Sequence, residues 1–100
     1  MEQYFVIASN NGRLCTPENK ETKLITFRLE NDNITGVRHE EPDNRDEKSI
    51  VNWAVSNNIA KLYVSNVSPV LHQSLTNHGV VVKRKEEAVN DPFLKRFIFL

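Results

Sequence analysis

The side chains best suited to binding chemistry lie in two short polar segments that each follow an apolar run. Residues 9–15 follow the run at 4–8, and residues 65–69 follow the run at 62–64. Ligands of open α/β sheets bind beyond the carboxyl ends of strands where the strand order reverses, and we expect both segments to lie at such a crevice. The candidate ligand-binding residues, all hydrogen-bond donors, are Ser9, Asn10, Asn11, Arg13, Ser65, Asn66 and Ser68.

The second polar segment is also predicted to start a helix. Ser68 suits the N-cap position, Pro69 the first helical position, and Gly79 the position just past the helix end. The free backbone N–H groups and the positive end of the helix dipole favour a carboxylate, a phosphate or an anionic metal cluster. The alternative is that Ser68 only caps its own helix and that the asparagines form turns, because every helix has such an end.

One thiol and three imidazoles are the soft ligands that this sequence offers to a metal ion. Cys15 is the only cysteine, which excludes an internal disulfide, and the histidines are His39, His72 and His78. Thiolate with imidazole suits zinc or iron, but no pair has the spacing of a compact ligand motif. Cys15 is therefore a candidate metal ligand, with an ordinary loop cysteine as the alternative.

Catalytic patterns are sparse. The acidic residues between positions 40 and 47 are balanced by nearby arginine and lysine, which is typical of a solvated loop. Gly12, Gly36 and Gly79 stand far apart, so the sequence contains no glycine-rich phosphate loop. No acid, base and nucleophile form a convincing constellation. We therefore expect a binding protein and not an enzyme.

Length and charge limit the function classes. One hundred residues with 39% hydrophobic content support one core, so we predict a single domain over residues 1–100. Thirteen basic and thirteen acidic residues cancel, which disfavours nucleic acid and anionic membranes as partners. No apolar run approaches the roughly 20 residues of a membrane span, and the N-terminus lacks a signal-peptide pattern. We expect a cytoplasmic protein.

Apolar patterns and turn signals predict five strands and three helices. Residues 4–8 are apolar throughout, as in a central strand, and residues 25–30 alternate, with a turn at 31–33 leading back into 34–39. The later elements begin with a helix that starts at a capping box formed by Asn44 and Glu47 and runs to about Asn57. They continue with a strand over 61–64, a helix over 69–78, a strand over 80–82, and a helix from Asp91, with a strand over 96–100 as its alternative. The predicted fold is α/β, with three layers and a five-stranded mixed sheet in the order β-β-β-α-β-α-β-α. Right-handed crossovers place the first strand centrally.

This order and two segments resemble the dinitrogenase iron-molybdenum cofactor biosynthesis family, a nitrogenase accessory factor-like domain with a ribonuclease H-like fold. In that family a hairpin strand ends in an acidic turn, matched here by Asn31-Asp32-Asn33. A strand, a small-residue turn with proline, a helix, a glycine and another strand then follow. Their counterparts here run from Leu62 through Ser65-Asn66-Val67-Ser68-Pro69 to Gly79-Val80.

The resemblance implies a non-enzymatic binding domain for an iron-sulfur cluster or an iron-molybdenum cofactor precursor, held at the first-strand loop and the start of the second helix. Where family members carry Ser-x-His-Phe-Gly, this sequence has Cys15-Thr16-Pro17-Glu18-Asn19, so the family histidine is missing. True ribonucleases of this fold hold metal ions with acids on the central strands, and the runs at 4–8 and 62–64 contain none. Nuclease activity is disfavoured.

Aromatic residues crowd the end of the sequence and predict a second class of function. Phe93, Phe97 and Phe99 must be buried somewhere, either on the sheet of the same chain or against a partner. The alternative function is therefore a protein-interaction or homodimer module that has lost cofactor binding.

Overall fold

An open mixed sheet with helices packed on it forms the protein. The computed structural model describes residues 2–88 and 90–96. The strands are β1 (Glu2–Asn10), β2 (Arg13–Leu14), β3 (Lys23–Glu30), β4 (Asn33–Arg38), β5 (Ile59–Tyr63) and β6 (Val81–Lys83). The helices are α1 (Glu47–Ser56), α2 (Pro69–Asn77), α3 (Lys85–Ala88) and a 3-10 turn at Leu94–Arg96. The predicted α/β class is confirmed, but the sheet has six strands within these described residues, where five were predicted.

Strand β1 occupies the middle of the sheet. The order is β4-β3-β1-β5-β6, and β2 pairs with β1 outside this path. β1 runs antiparallel to β3, with Phe5 opposite Phe27, and parallel to β5, with Val6 opposite Leu62. β1 is buried from Phe5 to Ala8, as expected for an apolar central strand that is covered on both faces of the sheet.

The two faces of the sheet carry separate apolar cores. Successive side chains of a strand point to opposite faces, so Val6 of β1 packs with α1 and α2 on one face. Phe5 and Ile7 pack on the other face with Tyr63 and Phe93. The aromatic rings there meet edge to face or stacked at centroid distances of 5.2 to 6.2 Å. Phe93 is thus a residue of the second core.

Two tight turns connect antiparallel strands. Asn31 and Asp32 both have positive φ, of 51° and 68°, so the turn predicted before β4 is confirmed. Asn11 and Gly12, with φ of 53° and 76°, form a second such turn between β1 and β2. The segment at 9–15, predicted as a loop, is therefore a hairpin whose turn consists of two residues, followed by Cys15 just after β2.

Helix α2 starts at the predicted residue, Pro69, and ends at Asn77, one residue before the predicted end. The Ser68 hydroxyl accepts a hydrogen bond from the Leu71 N–H at 3.2 Å, Pro69 follows it, and Gly79 has φ of 83° beyond the last turn. Helix α1 differs, because its N-cap is Asp46 and not Asn44: the Asp46 carboxylate accepts the Ser49 N–H at 2.9 Å. This bond lowers the pKa of Asp46. No helix in the described part of the chain is long and apolar enough to cross a membrane.

The predicted helix from Asp91 is only a short 3-10 turn within the described residues. The Asp91 carboxylate accepts N–H bonds from Phe93 at 2.9 Å and Leu94 at 3.2 Å, and so caps this turn. Residues 97–100, and with them Phe97, Phe99 and the alternative strand, lie outside the described residues. Their contact with a partner stays a prediction.

Candidate functional site

The predicted crevice lies where β1 and β5 separate. The two strands pair from Tyr4 to Ile7, and beyond this point the backbone of Cys15 enters between them. The Cys15 N–H donates to the Ala8 carbonyl at 2.9 Å, and the Cys15 carbonyl accepts the Ser65 N–H at 3.2 Å. The chain itself therefore bridges the carboxyl ends of the two strands, where an open α/β sheet would leave a cleft.

The hairpin changes the position of the first group of predicted site residues. Ser9 lies within β1 and is 6% exposed, and Asn10 pairs with Arg13 of β2. Asn11 sits at the exposed turn. These residues belong to strands and a tight turn because β1 continues for nine residues before it reverses. They do not form the open loop that the sequence predicted.

The second group lies at the start of α2 as predicted, and its members make local hydrogen bonds. Asn66 accepts the Val67 N–H at 2.9 Å through its side-chain oxygen. Ser68 caps the helix, and its carbonyl accepts the His72 N–H at 2.9 Å. The Ser65 backbone joins this junction to Cys15, so the structure brings Ser65, Ser68 and Cys15 into one neighbourhood.

Glu18 supplies a carboxylate to this neighbourhood. Its Oε1 accepts a hydrogen bond from the Ser68 N–H at 3.2 Å and another from the Thr16 hydroxyl at 3.0 Å. The contact joins residues 50 positions apart, so no spacing rule could have found it. A negative group at a helix N-terminus is favoured by the dipole and by the free N–H groups. The start of α2 thus already binds an oxyanion, provided by the chain itself.

Arg45 holds the segment that carries Glu18. Its guanidinium donates to the carbonyls of Pro17 at 3.0 Å, Asn19 at 3.4 Å and Thr22 at 2.9 Å, and it pairs with Glu41 at 3.3 Å. The Arg45 side chain is only 8% exposed. The sequence predicted a solvated charge here, but the planar five-donor guanidinium suits several carbonyls at once.

The soft ligands are dispersed. Cys15 is half-buried at the crevice, whereas His39 is exposed after β4 and His78 ends α2, its Nδ1 lying 2.8 Å from the Ser74 carbonyl oxygen. Within residues 2–88 and 90–96, no three His, Cys, Asp or Glu side chains are grouped to hold a metal ion. The histidines therefore do not complete a site with Cys15 inside the described part of one chain.

A cavity beside α1 is not part of this site. Its volume is about 400 Å³, and it lies between the 41–44 loop and Trp53. The Trp53 Nε1 atom is enclosed and has no hydrogen-bond partner among the described residues. Because the atom is enclosed, it cannot donate to a ligand in the cavity, and we assign no site there.

Comparison with known proteins supports the fold and leaves the function open. No protein-family model matches the sequence, and no curated protein matches it. Among solved structures, a protein known as PH0822 has a TM-score of 0.65 at 9% identity, over 82% of this chain and 76% of that one. A protein of Methanocaldococcus jannaschii provisionally named a dinitrogenase has a TM-score of 0.64 at 10% identity, over 84% of this chain and 76% of that one. The chain shares a dinitrogenase-like fold.

Proposed function

We propose that this protein is a non-enzymatic binding domain that takes an anionic ligand at the N-terminus of α2, in competition with Glu18. The ligand class implied by the family resemblance is an iron-sulfur cluster or a precursor of the iron-molybdenum cofactor. The shared fold with the provisionally named dinitrogenase is consistent with that class.

The observation that carries the proposal is the hydrogen bond from the Ser68 N–H to Glu18 Oε1, 3.2 Å long. It identifies an N–H group that is oriented toward an oxyanion and already binds one. A bound phosphate, molybdate or cluster sulfur would need the same donor, so it would have to displace the Glu18 carboxylate.

The donors present fit a ligand held by hydrogen bonds better than one ligated by side chains. The described residues offer one thiol, Cys15, near the junction and no group of three metal ligands. A cluster ligated only by protein thiolates would need more of them. The proposed contacts are therefore the backbone N–H groups of Ser68 and Val70, since Pro69 has none and that of Leu71 is bonded to the Ser68 hydroxyl, together with the helix dipole and with Cys15 as one additional ligand.

Removing Glu18 tests the proposal. In Glu18→Ala the Ser68 N–H loses its internal acceptor and the local negative charge disappears, so added anions should bind more tightly by about fivefold. Titration with inorganic phosphate and with molybdate, followed by amide chemical shifts at residues 65–71, measures the change. Metal analysis of the anaerobically purified protein then shows whether it retains iron or molybdenum.

The matched control is Glu21→Ala. Glu21 lies in the same segment and is exposed, and its backbone N–H donates to the side-chain oxygen of Asn19 at 2.9 Å. This variant changes the net charge equally but leaves Ser68 bonded to Glu18. If neither anion shifts the amides of residues 65–71 in the parent or in Glu18→Ala, or if both variants respond alike, the proposal is wrong.

A further inference from the structure

A second cavity lies on the opposite face of the sheet from α1 and α2. Its volume is about 410 Å³, within the ordinary range for small-molecule sites. Phe5, Leu29 and Phe93 give it an apolar wall, and all three belong to the second core. Lys61 and Asp91 line the same cavity with opposite charges, and Asp32 adds a further carboxylate.

Asp91 is fixed through one of its two oxygens. The residue is 9% exposed, and its Oδ1 accepts hydrogen bonds from the Tyr63 hydroxyl at 3.1 Å and from the N–H groups of Phe93 and Leu94. Within the described residues, Oδ2 accepts no hydrogen bond. A carboxylate held in one orientation by three donors therefore has a remaining acceptor for a ligand.

Lys61 provides the complementary charge. Its Nζ lies 5.0 Å from the centre of the Phe5 ring, over the aromatic face. In the described part of the chain it forms no ion pair, with Asp91 or with any other carboxylate. Lys61 and Asp91 line one cavity and do not pair with each other. Each can therefore form a charge-assisted hydrogen bond with the oppositely charged group of a single ligand.

We propose that this cavity binds a small zwitterion of the free amino-acid class. The ligand ammonium donates to Asp91 Oδ2, the ligand carboxylate accepts from Lys61 Nζ, and the ligand side chain lies against Phe5, Leu29 and Phe93. The site is separate from the N-terminus of α2 and does not depend on the function proposed there.

Titration of the full chain with L-leucine tests this inference, because its aliphatic side chain suits the apolar wall. Saturable amide shifts are expected at residues 61, 91 and 93. N-acetyl-L-leucine lacks the ammonium and L-leucine amide lacks the carboxylate, so each should bind about tenfold more weakly. Equal binding of the three compounds, or no saturable shift with L-leucine up to its solubility, overturns the proposal.

Two variants remove one charge each. Asp91→Asn keeps the side-chain shape and an Oδ1 acceptor but replaces Oδ2 by a donor, and Lys61→Met keeps an unbranched apolar side chain over Phe5. Each should weaken L-leucine binding by about tenfold. Lys48→Met, at an exposed position of α1, is the control and should leave binding unchanged. If Asp91→Asn does not fold, Lys61→Met and the two leucine derivatives still test the proposal. An unchanged affinity of Lys61→Met for L-leucine contradicts it.

Discussion

At the scale of single residues, three side chains satisfy backbone groups that regular secondary structure leaves free, two of them across long sequence separations and one, Asp91, locally. Arg45 donates to three carbonyls of the 17–22 segment, Asp91 accepts two N–H groups of the 3-10 turn, and Glu18 accepts the N–H of Ser68. Buried backbone polar groups cost free energy when they are unpaired. These side chains therefore order segments that have little secondary structure of their own.

Replacing Arg45 should lower the stability of the protein more than replacing an exposed arginine does. Arg45→Met keeps much of the apolar stem but removes all donors to Pro17, Asn19 and Thr22. The free energy of unfolding should fall by about 2 kcal/mol, measured by urea denaturation. Arg13→Met, in the exposed part of the hairpin, is the control and should change stability by less than about 0.5 kcal/mol. Equal effects of the two variants would contradict the assigned role of Arg45.

At the scale of elements, the β1–β2 hairpin decides the form of the candidate site. Its turn returns the chain along β1, so that Cys15 bridges the Ala8 carbonyl and the Ser65 N–H. The same return directs the following segment toward α2, where Glu18 reaches Ser68. A tight turn at Asn11-Gly12 thus fills the crevice that a longer loop would leave open.

The positive φ of Gly12 makes this turn sensitive to substitution. A Cβ at Gly12 would meet no atom within 4 Å, so Gly12→Ala acts only through backbone conformation, and it should lower stability by about 1 kcal/mol. Gly36 is the matched control, since its φ is not positive and an added Cβ would meet Arg28 atoms at an ordinary 3.7 Å. Gly36→Ala should be neutral or stabilising. Thermal and urea unfolding of both variants check the difference, and destabilisation by Gly36→Ala alone would refute it.

At the scale of the whole molecule, the Tyr63 hydroxyl connects the sheet to the segment after α3. Tyr63 is fully buried in β5, and it donates to Asp91 at 3.1 Å. Burial, and then the negative charge of Asp91, raise the pKa of Tyr63 well above its usual range. The folded protein therefore keeps this phenol protonated at a pH at which the unfolded chain has begun to lose the proton.

The raised pKa predicts a loss of stability at alkaline pH. Tyr63 contributes its full stabilisation below the unfolded pKa of about 10, and this contribution falls as the pH rises further, because the unfolded chain then binds fewer protons. Tyr63→Phe should be less stable at pH 7 by about 1 kcal/mol, and should lose less stability between about pH 9 and 11. Urea denaturation across that range measures both effects.

Tyr4 provides the control for this pH dependence. Its pKa is raised as well, chiefly by its hydrogen bond to Glu2, but the residue is at the exposed end of β1. Tyr4→Phe should therefore lose nearly as much stability at alkaline pH as the parent protein does. If the free energy of unfolding of Tyr63→Phe falls with alkaline pH as steeply as that of the parent, the coupling between Tyr63 and Asp91 does not contribute to stability.

Local sequence signals determined the elements whose causes are local. The apolar run at 4–8 specifies a central strand, Asn31-Asp32 specifies a turn, and Ser68, Pro69 and Gly79 specify α2, because each acts on the backbone within a few residues. The Asn11-Gly12 pair was a readable hairpin signal, but its return strand of two residues is too short to show alternation. Only the tertiary structure brought Glu18 to Ser68 and Arg45 to the 17–22 carbonyls. Contacts between distant residues depend on how the strands and helices pack, which no local pattern encodes.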